Sequence, residues 1–99
     1  MKVLFRKKAF DELEAIYKHI QKESPQNAIS VFNSIYDLSQ SLVHFPYKYP
    51  MEPVINVEKV RFFAIWSFKI IYAIETDSII ILRIFNTKQN PIQIKKTVI

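Results

Sequence analysis

Residues 68–88 read FKIIYAIETDSIIILRIFNTK, with two apolar runs flanking Glu75-Thr76-Asp77-Ser78. Isoleucine and tyrosine fit a pleated, half-buried surface, whereas Asp and Ser favour turns. The stretch therefore predicts a β-hairpin. Side chains alternate across a strand, and cross-strand partners share a face. For a loop of even length, Lys69, Ile71 and Ala73 share a face with Leu82, Ile84 and Asn86. Ile70 and Tyr72 then share the other with Ile81, Arg83 and Phe85, and an odd loop reverses the grouping. Each face carries one cation among apolar groups. Cations rarely sit in a strand packed on both sides, so at least one face is expected to be partly open.

The 99 residues make one domain, 1–99. A chain of this size buries roughly 65% of its unfolded surface, enough for a core without staples. There is no Cys, which excludes disulfides and thiolate zinc sites. There is no Gly either, which excludes the glycine-dependent phosphate loops and leaves turns to Asn, Asp, Ser and Pro. No apolar run reaches the roughly 20 residues needed to span a bilayer. The start, MKVLFRKK, has too short an apolar segment for a signal peptide, and the reading is a cytoplasmic protein. The formal charge is +5. Residues 1–45 hold six Lys and Arg against five Asp and Glu; residues 46–99 hold eight against four. The excess lies in the second half and points to an anionic partner, nucleic acid or an acidic protein, or serves solubility alone.

Along the chain, Lys2 to Phe5 reads as a short strand and Lys7 to Lys22 as a helix, with Phe10, Leu13, Ile16, Tyr17 and Ile20 as its apolar stripe. Asp11, Glu12 and Glu14 lie in its early turns, where acids suit the helix dipole. Ser24-Pro25 starts a second helix, with Ser as N-cap and Pro at the first helical position. It is expected to run to about His44, with Ala28, Phe32, Ile35, Ser39 and Leu42 facing inward. The short gap between the helices predicts an antiparallel helical hairpin. Pro46, Pro50 and Pro53 make a stiff connector that cannot be a central strand. Lys59 to Ile65 is a strand, with Arg61 and Phe63 facing one way and Val60, Phe62 and Ala64 the other. Gln89-Asn90-Pro91 reads as a turn, and the tail after it as a short edge strand or a segment ordered by a partner.

The order is β-α-α-β-β-β. The expected fold class is α+β: an N-terminal strand, an antiparallel helical hairpin, then a mainly antiparallel sheet with the hairpin on one face. The sheet's other face is expected to be open, concave and basic.

These residues resemble the RelE/ParE superfamily of type II toxin–antitoxin toxins, a group that includes plasmid stabilisation proteins. The resemblance is carried by Phe5, Ala9, Leu13, Ile16 and His19-Ile20, by Ser24-Pro25, Ala28 and the Leu42-to-Pro46 exit, by Arg61, by Lys69-Ile70-Ile71-Tyr72, and by Ile81-Leu82-Arg83-Ile84. It is the order and spacing of these motifs, over nearly the whole chain, that is specific. The resemblance implies a small basic toxin neutralised by an acidic antitoxin that wraps it. One branch cleaves mRNA on the ribosome, and the other poisons DNA gyrase without being known as a nuclease.

RNA cleavage by 2′-OH attack needs a proton acceptor, cations on the pentavalent phosphate and an acid for the leaving oxygen. By resemblance to the nuclease branch, Arg61 is a candidate phosphate clamp and Lys69 a second cationic group. The alternatives are a strand-surface Arg that binds antitoxin acids or a neighbouring carboxylate, and a solvated strand Lys. Glu52, in Met51-Glu52-Pro53-Val54, is similar to a Pro-flanked general base of some members; the commoner alternative is a surface Glu in a Pro-rich loop. The branch often closes its last strand with His or Tyr, where this chain has Asn86-Thr87-Lys88. Asn is no acid near neutral pH; Lys88 is a candidate cationic stabiliser, since a free Lys pKa of about 10.4 does not suit a base. Arg83 is read as structural, paired with Tyr72 or capping a helix end. His19 and His44 have no partner at metal-ligand spacing and are read as structural. Tyr47, Tyr49 and Trp66, near basic residues, suit base stacking, core filling or a protein groove.

The reading is a growth-inhibiting toxin with no cofactor, metal or membrane requirement. Its partners are an acidic antitoxin and either ribosome-bound mRNA or DNA gyrase. A third reading is a decayed toxin that retains only antitoxin and operator binding.

Overall fold

The structure, a computed structural model, describes residues 1–88. The turn and tail expected after Lys88 lie outside the described residues. The elements run β1 (Lys2–Phe5), α1 (Lys7–Gln21), α2 (Pro25–Ser41), β2 (Val60–Ile65), β3 (Phe68–Ile74) and β4 (Ser78–Asn86). One four-stranded sheet has the order β1-β4-β3-β2. β1 runs parallel to β4, with Lys2 opposite Ser78; the other pairings are antiparallel. The fold is the expected α+β arrangement in the expected order.

The second helix starts as its sequence dictates. Ser24 is extended, its hydroxyl accepts from the Asn27 amide, and Pro25 needs no N–H at the first position. The helix ends at Ser41 rather than His44. The amides of Leu42 and His44 bond back three residues, to Ser39 and Ser41, and tighten the exit.

The inner stripe of α1 is rotated relative to the expected one. Ala9 and Leu13 are buried, whereas Phe10 is 45% exposed and meets the Phe5 ring edge-on at 6.5 Å. The small side chain of Ala9 allows close approach to the sheet, so the larger Phe10 is left outside. Asp11 and Glu14 pair with Lys7 and Lys18 on the surface. Glu12 turns inward instead. Its carboxylate accepts from Arg83 Nε at 3.0 Å and Nη2 at 2.8 Å, and from the Ile84 amide at 3.0 Å. Arg83 thus pairs with a helix carboxylate, a partner that the sequence reading did not name.

This contact sits at a bulge. Tyr72 lies opposite Ile81 and Ile71 opposite Arg83, so Leu82 is an extra residue in β4. On the turn side of the bulge the even-loop grouping holds: Tyr72 and Ile81 share the helix-side core, Ala73 and Leu82 the other cluster. Beyond it the grouping reverses. Ile84 joins Ile70 in the helix-side core, and Phe85 joins Ile71 on the second face, opposite Lys69.

The second face is not the open basic surface that was expected. Val60, Ile71, Ala73, Leu82 and Phe85 form a buried apolar cluster there, with Ile55, Phe62 and Ile80 packed against it. Because both faces are apolar, β3 and β4 read as nearly continuous hydrophobic runs rather than clean alternations.

With no glycine, two other residues among those described take the left-handed backbone, Asn56 (φ 57°) and Trp66 (φ 52°). Asn tolerates this region. Trp66 sits in the turn between β2 and β3 and is 62% exposed, a position that costs a non-glycine residue about 1–2 kcal/mol.

Replacing Glu12 by Ala removes the carboxylate from a nearly buried Arg83 and from the Ile84 amide. The expected loss is about 3–5 kcal/mol of unfolding free energy in urea titrations, with a smaller loss for Glu12→Gln, which keeps one acceptor.

Candidate functional site

The segment between α2 and β2 positions the expected site residues. It wraps the outer edge of β2. Met51 forms an antiparallel bridge with Arg61, the Phe62 amide donates to the Pro50 carbonyl at 3.1 Å, and the Glu52 amide donates to the Val60 carbonyl at 2.9 Å. Before the bridge, the segment covers the helix-side face: Tyr49 lies 5.5 Å from Phe63, and Tyr72 donates its hydroxyl to the Pro46 carbonyl at 2.7 Å. After the bridge it covers the second face through Ile55 and Glu52. Prolines are at home in such an edge segment, where no ladder amide is needed from them.

The four candidates fall in three places. Arg61 stands opposite Tyr72 on the helix-side face. Its Nε donates to the Glu58 carbonyl at 2.9 Å, its Nη1 to the Tyr49 carbonyl at 3.2 Å, and its guanidinium lies 5.0 Å from the Tyr47 ring. Lys69 stands opposite Ala64 on the second face, with Nζ 4.2 Å from the Phe62 ring. Arg61 and Lys69 therefore project from opposite faces and do not converge on one phosphate. Lys88 is exposed beyond the end of β4, its amide held by the Asn86 side chain at 2.9 Å.

Glu52 is the largest departure from expectation. It is not a surface Glu but is fully buried (0% exposed). One carboxylate oxygen accepts from Lys69 Nζ at 2.8 Å and the other from the Ile55 amide at 2.7 Å. The structure brings Glu52 and Lys69 together as an ion pair that ties the connector to the sheet. With both oxygens engaged and no exposed surface, the carboxylate is shielded from a ribose hydroxyl.

Burial pushes the Tyr72 phenol up from 10.0 to about 12, against the nearby Arg61 guanidinium, which pulls it down. His19 and His44 are both exposed, and no group of three or more His, Asp or Glu suited to a metal occurs among the described residues.

One feature escaped sequence reading. Aromatic rings run from β1 across the helical hairpin: Phe5 stacks on Tyr36 at 5.8 Å, Tyr36 on Phe32 at 6.3 Å, and Phe32 meets Tyr17 edge-on at 5.9 Å. They border a cleft of about 430 Å³ between the helices, lined by Phe10, Glu14, Tyr17, Ile29, Phe32 and Asn33. Ile29 and Tyr36, exposed and off the inner stripe of α2, were the available signal.

Substituting Lys69 by Ala strands a buried carboxylate and is expected to cost about 3–5 kcal/mol in urea denaturation, whereas the apolar pair Glu52→Leu with Lys69→Met restores most of it. Tyr72 gives a pH signature. Below pH 10 the phenol is protonated in both folded and unfolded chains; between about 10 and 12 only the unfolded chain ionises, and stability falls. Tyr72→Phe loses about 1 kcal/mol with its hydrogen bond at pH 8. Its deficit is expected to shrink or invert above pH 10, read from paired urea midpoints.

None of the described helices is long and apolar enough to cross a membrane. The family model described as "ParE toxin of type II toxin-antitoxin system, parDE" matches residues 3–91. Among solved structures the chain is similar to one described as "Chromosomal ParDE TA system from P. aeruginosa", at 26% identity and a TM-score of 0.73, over 87% of this chain and 95% of that one. No match is found among curated proteins.

Proposed function

The chain belongs to the ParE toxin family of type II toxin–antitoxin systems, and on that premise we propose that it arrests growth in the cytoplasm by binding DNA gyrase, without catalysing a reaction, until an acidic antitoxin neutralises it. The observation that carries this reading over mRNA cleavage is the placement of the cations. Phosphoryl transfer without a metal needs positive groups that converge on the developing charge. Arg61 spends two donors on backbone carbonyls on one face, and Lys69 is paired with a buried carboxylate on the other. The basic second half and the similarity to a ParDE system support an acidic antitoxin as partner. The apolar cleft of the helical hairpin offers that antitoxin a place to lie.

Induction of the chain without an antitoxin is expected to stop growth, with messenger RNA intact by primer extension and with gyrase-dependent change in plasmid supercoiling or DNA cleavage. Ribosome-stimulated transcript cuts that vanish in Arg61→Ala would overturn it in favour of the nuclease. Unimpaired growth would overturn the toxin reading altogether and leave a decayed toxin.

A further inference from the structure

Residues 45–51, Phe-Pro-Tyr-Lys-Tyr-Pro-Met, combine exposure with rigidity. Phe45 is 70% exposed, Tyr47 55% and Met51 38%. Their backbone is nonetheless fixed. Pro46 and Pro50 restrict it, the Lys48 amide bonds the Phe45 carbonyl at 3.1 Å, and Tyr72, Arg61 and the Phe62 amide hold the carbonyls of Pro46, Tyr49 and Pro50. Tyr49 is the half-buried peg of the loop, against Phe63. Two cations flank the rings: Lys48 Nζ lies 5.3 Å from the Tyr49 ring, and the Arg61 guanidinium 5.0 Å from that of Tyr47. No carboxylate occurs in residues 45–51.

Aromatic residues and Arg dominate binding energy at protein interfaces, and anchors already held in place lose little freedom on docking. Phe45 and Tyr47 are displayed on a segment tied at three carbonyls. We propose that residues 45–51, with Arg61 behind Tyr47, form the surface that engages the toxin's target. The occupant is a folded protein with an apolar recess for Phe45 and Tyr47 and carboxylates at its rim for Lys48 and Arg61. This rests on the reading that the toxin acts by binding a protein. It assigns target binding to a different surface from the cleft of the helical hairpin. Single-stranded RNA is the other ligand for exposed rings beside cations. It fits less well, because Met51 extends the apolar patch beyond the rings.

The test uses the full chain with Phe45→Ser and Tyr47→Ser combined, and separately Lys48→Glu, both confined to exposed side chains. Three quantities are read: melting temperature, affinity for the chain's antitoxin, and the inducer level that stops growth in its absence. The expected result is an unchanged melting temperature and antitoxin affinity, with the inducer requirement raised about tenfold or more. Full toxicity in both variants overturns the proposal. So does a parallel loss of antitoxin affinity, which would assign the patch to the antitoxin. Binding of a single-stranded RNA oligonucleotide that the variants lose would assign it to RNA. Failure of the wild-type chain itself to stop growth removes the toxin reading, and the proposal with it.

Discussion

Much of the arrangement depends on one carboxylate. Glu12 reaches from the first helix to strand β4, where it takes the Nε–Nη2 edge of the Arg83 guanidinium and the Ile84 amide. β1 pairs with β4 only as far as Ile81, and the strand edge beyond that point needs another acceptor. Glu12 supplies it. The extra residue Leu82 sits beside this contact and changes which side chains of β4 face the helices. Through that change Phe85 comes to lie opposite Lys69 on the second face. The first helix thus meets β4 at the irregularity that sets the surroundings of a lysine on the neighbouring strand.

The second organising contact is the buried Glu52–Lys69 pair. It closes the second face with an ion pair inside largely apolar surroundings. Desolvation offsets much of the attraction in such a pair, so its contribution is better described as positional than as a gain in stability. It fixes where the connector lies, and the connector in turn holds Arg61 to the opposite face through the Tyr49 and Glu58 carbonyls. Two cations close in sequence are separated by the thickness of the sheet.

What the sequence made legible follows from local chemistry. The Ser24 cap, the Ile-rich hairpin and the proline connector each act through neighbouring residues, and each is where the pattern put it. What it hid are consequences of distant contacts. Nothing local marks Glu52 as buried, since its partner Lys69 lies across the connector and on another strand. A bulge has no signature in a run such as Ile79-Ile80-Ile81-Leu82, where every register is apolar. Phe10 is a better hydrophobe than Ala9, and only the need for close helix–sheet approach reverses their order. Trp66 at positive φ defies propensity, because a chain without glycine has to make that turn with what it has. The site was legible only as a set of residue types; their grouping depended on the bulge and on the path of the connector.

The position of β1 has a consequence in time. Among the described residues β1 pairs with β4, the last described element, with Lys2 beside Ser78. During synthesis at about 5–20 residues per second, β1 and the helical hairpin wait until β4 has been made before their sheet exists. Pairings so distant in sequence are slow to form. The protein therefore passes through an interval in which its aromatic hairpin is made but has nothing to close upon. The helical hairpin is thus open to a binding partner before the sheet exists.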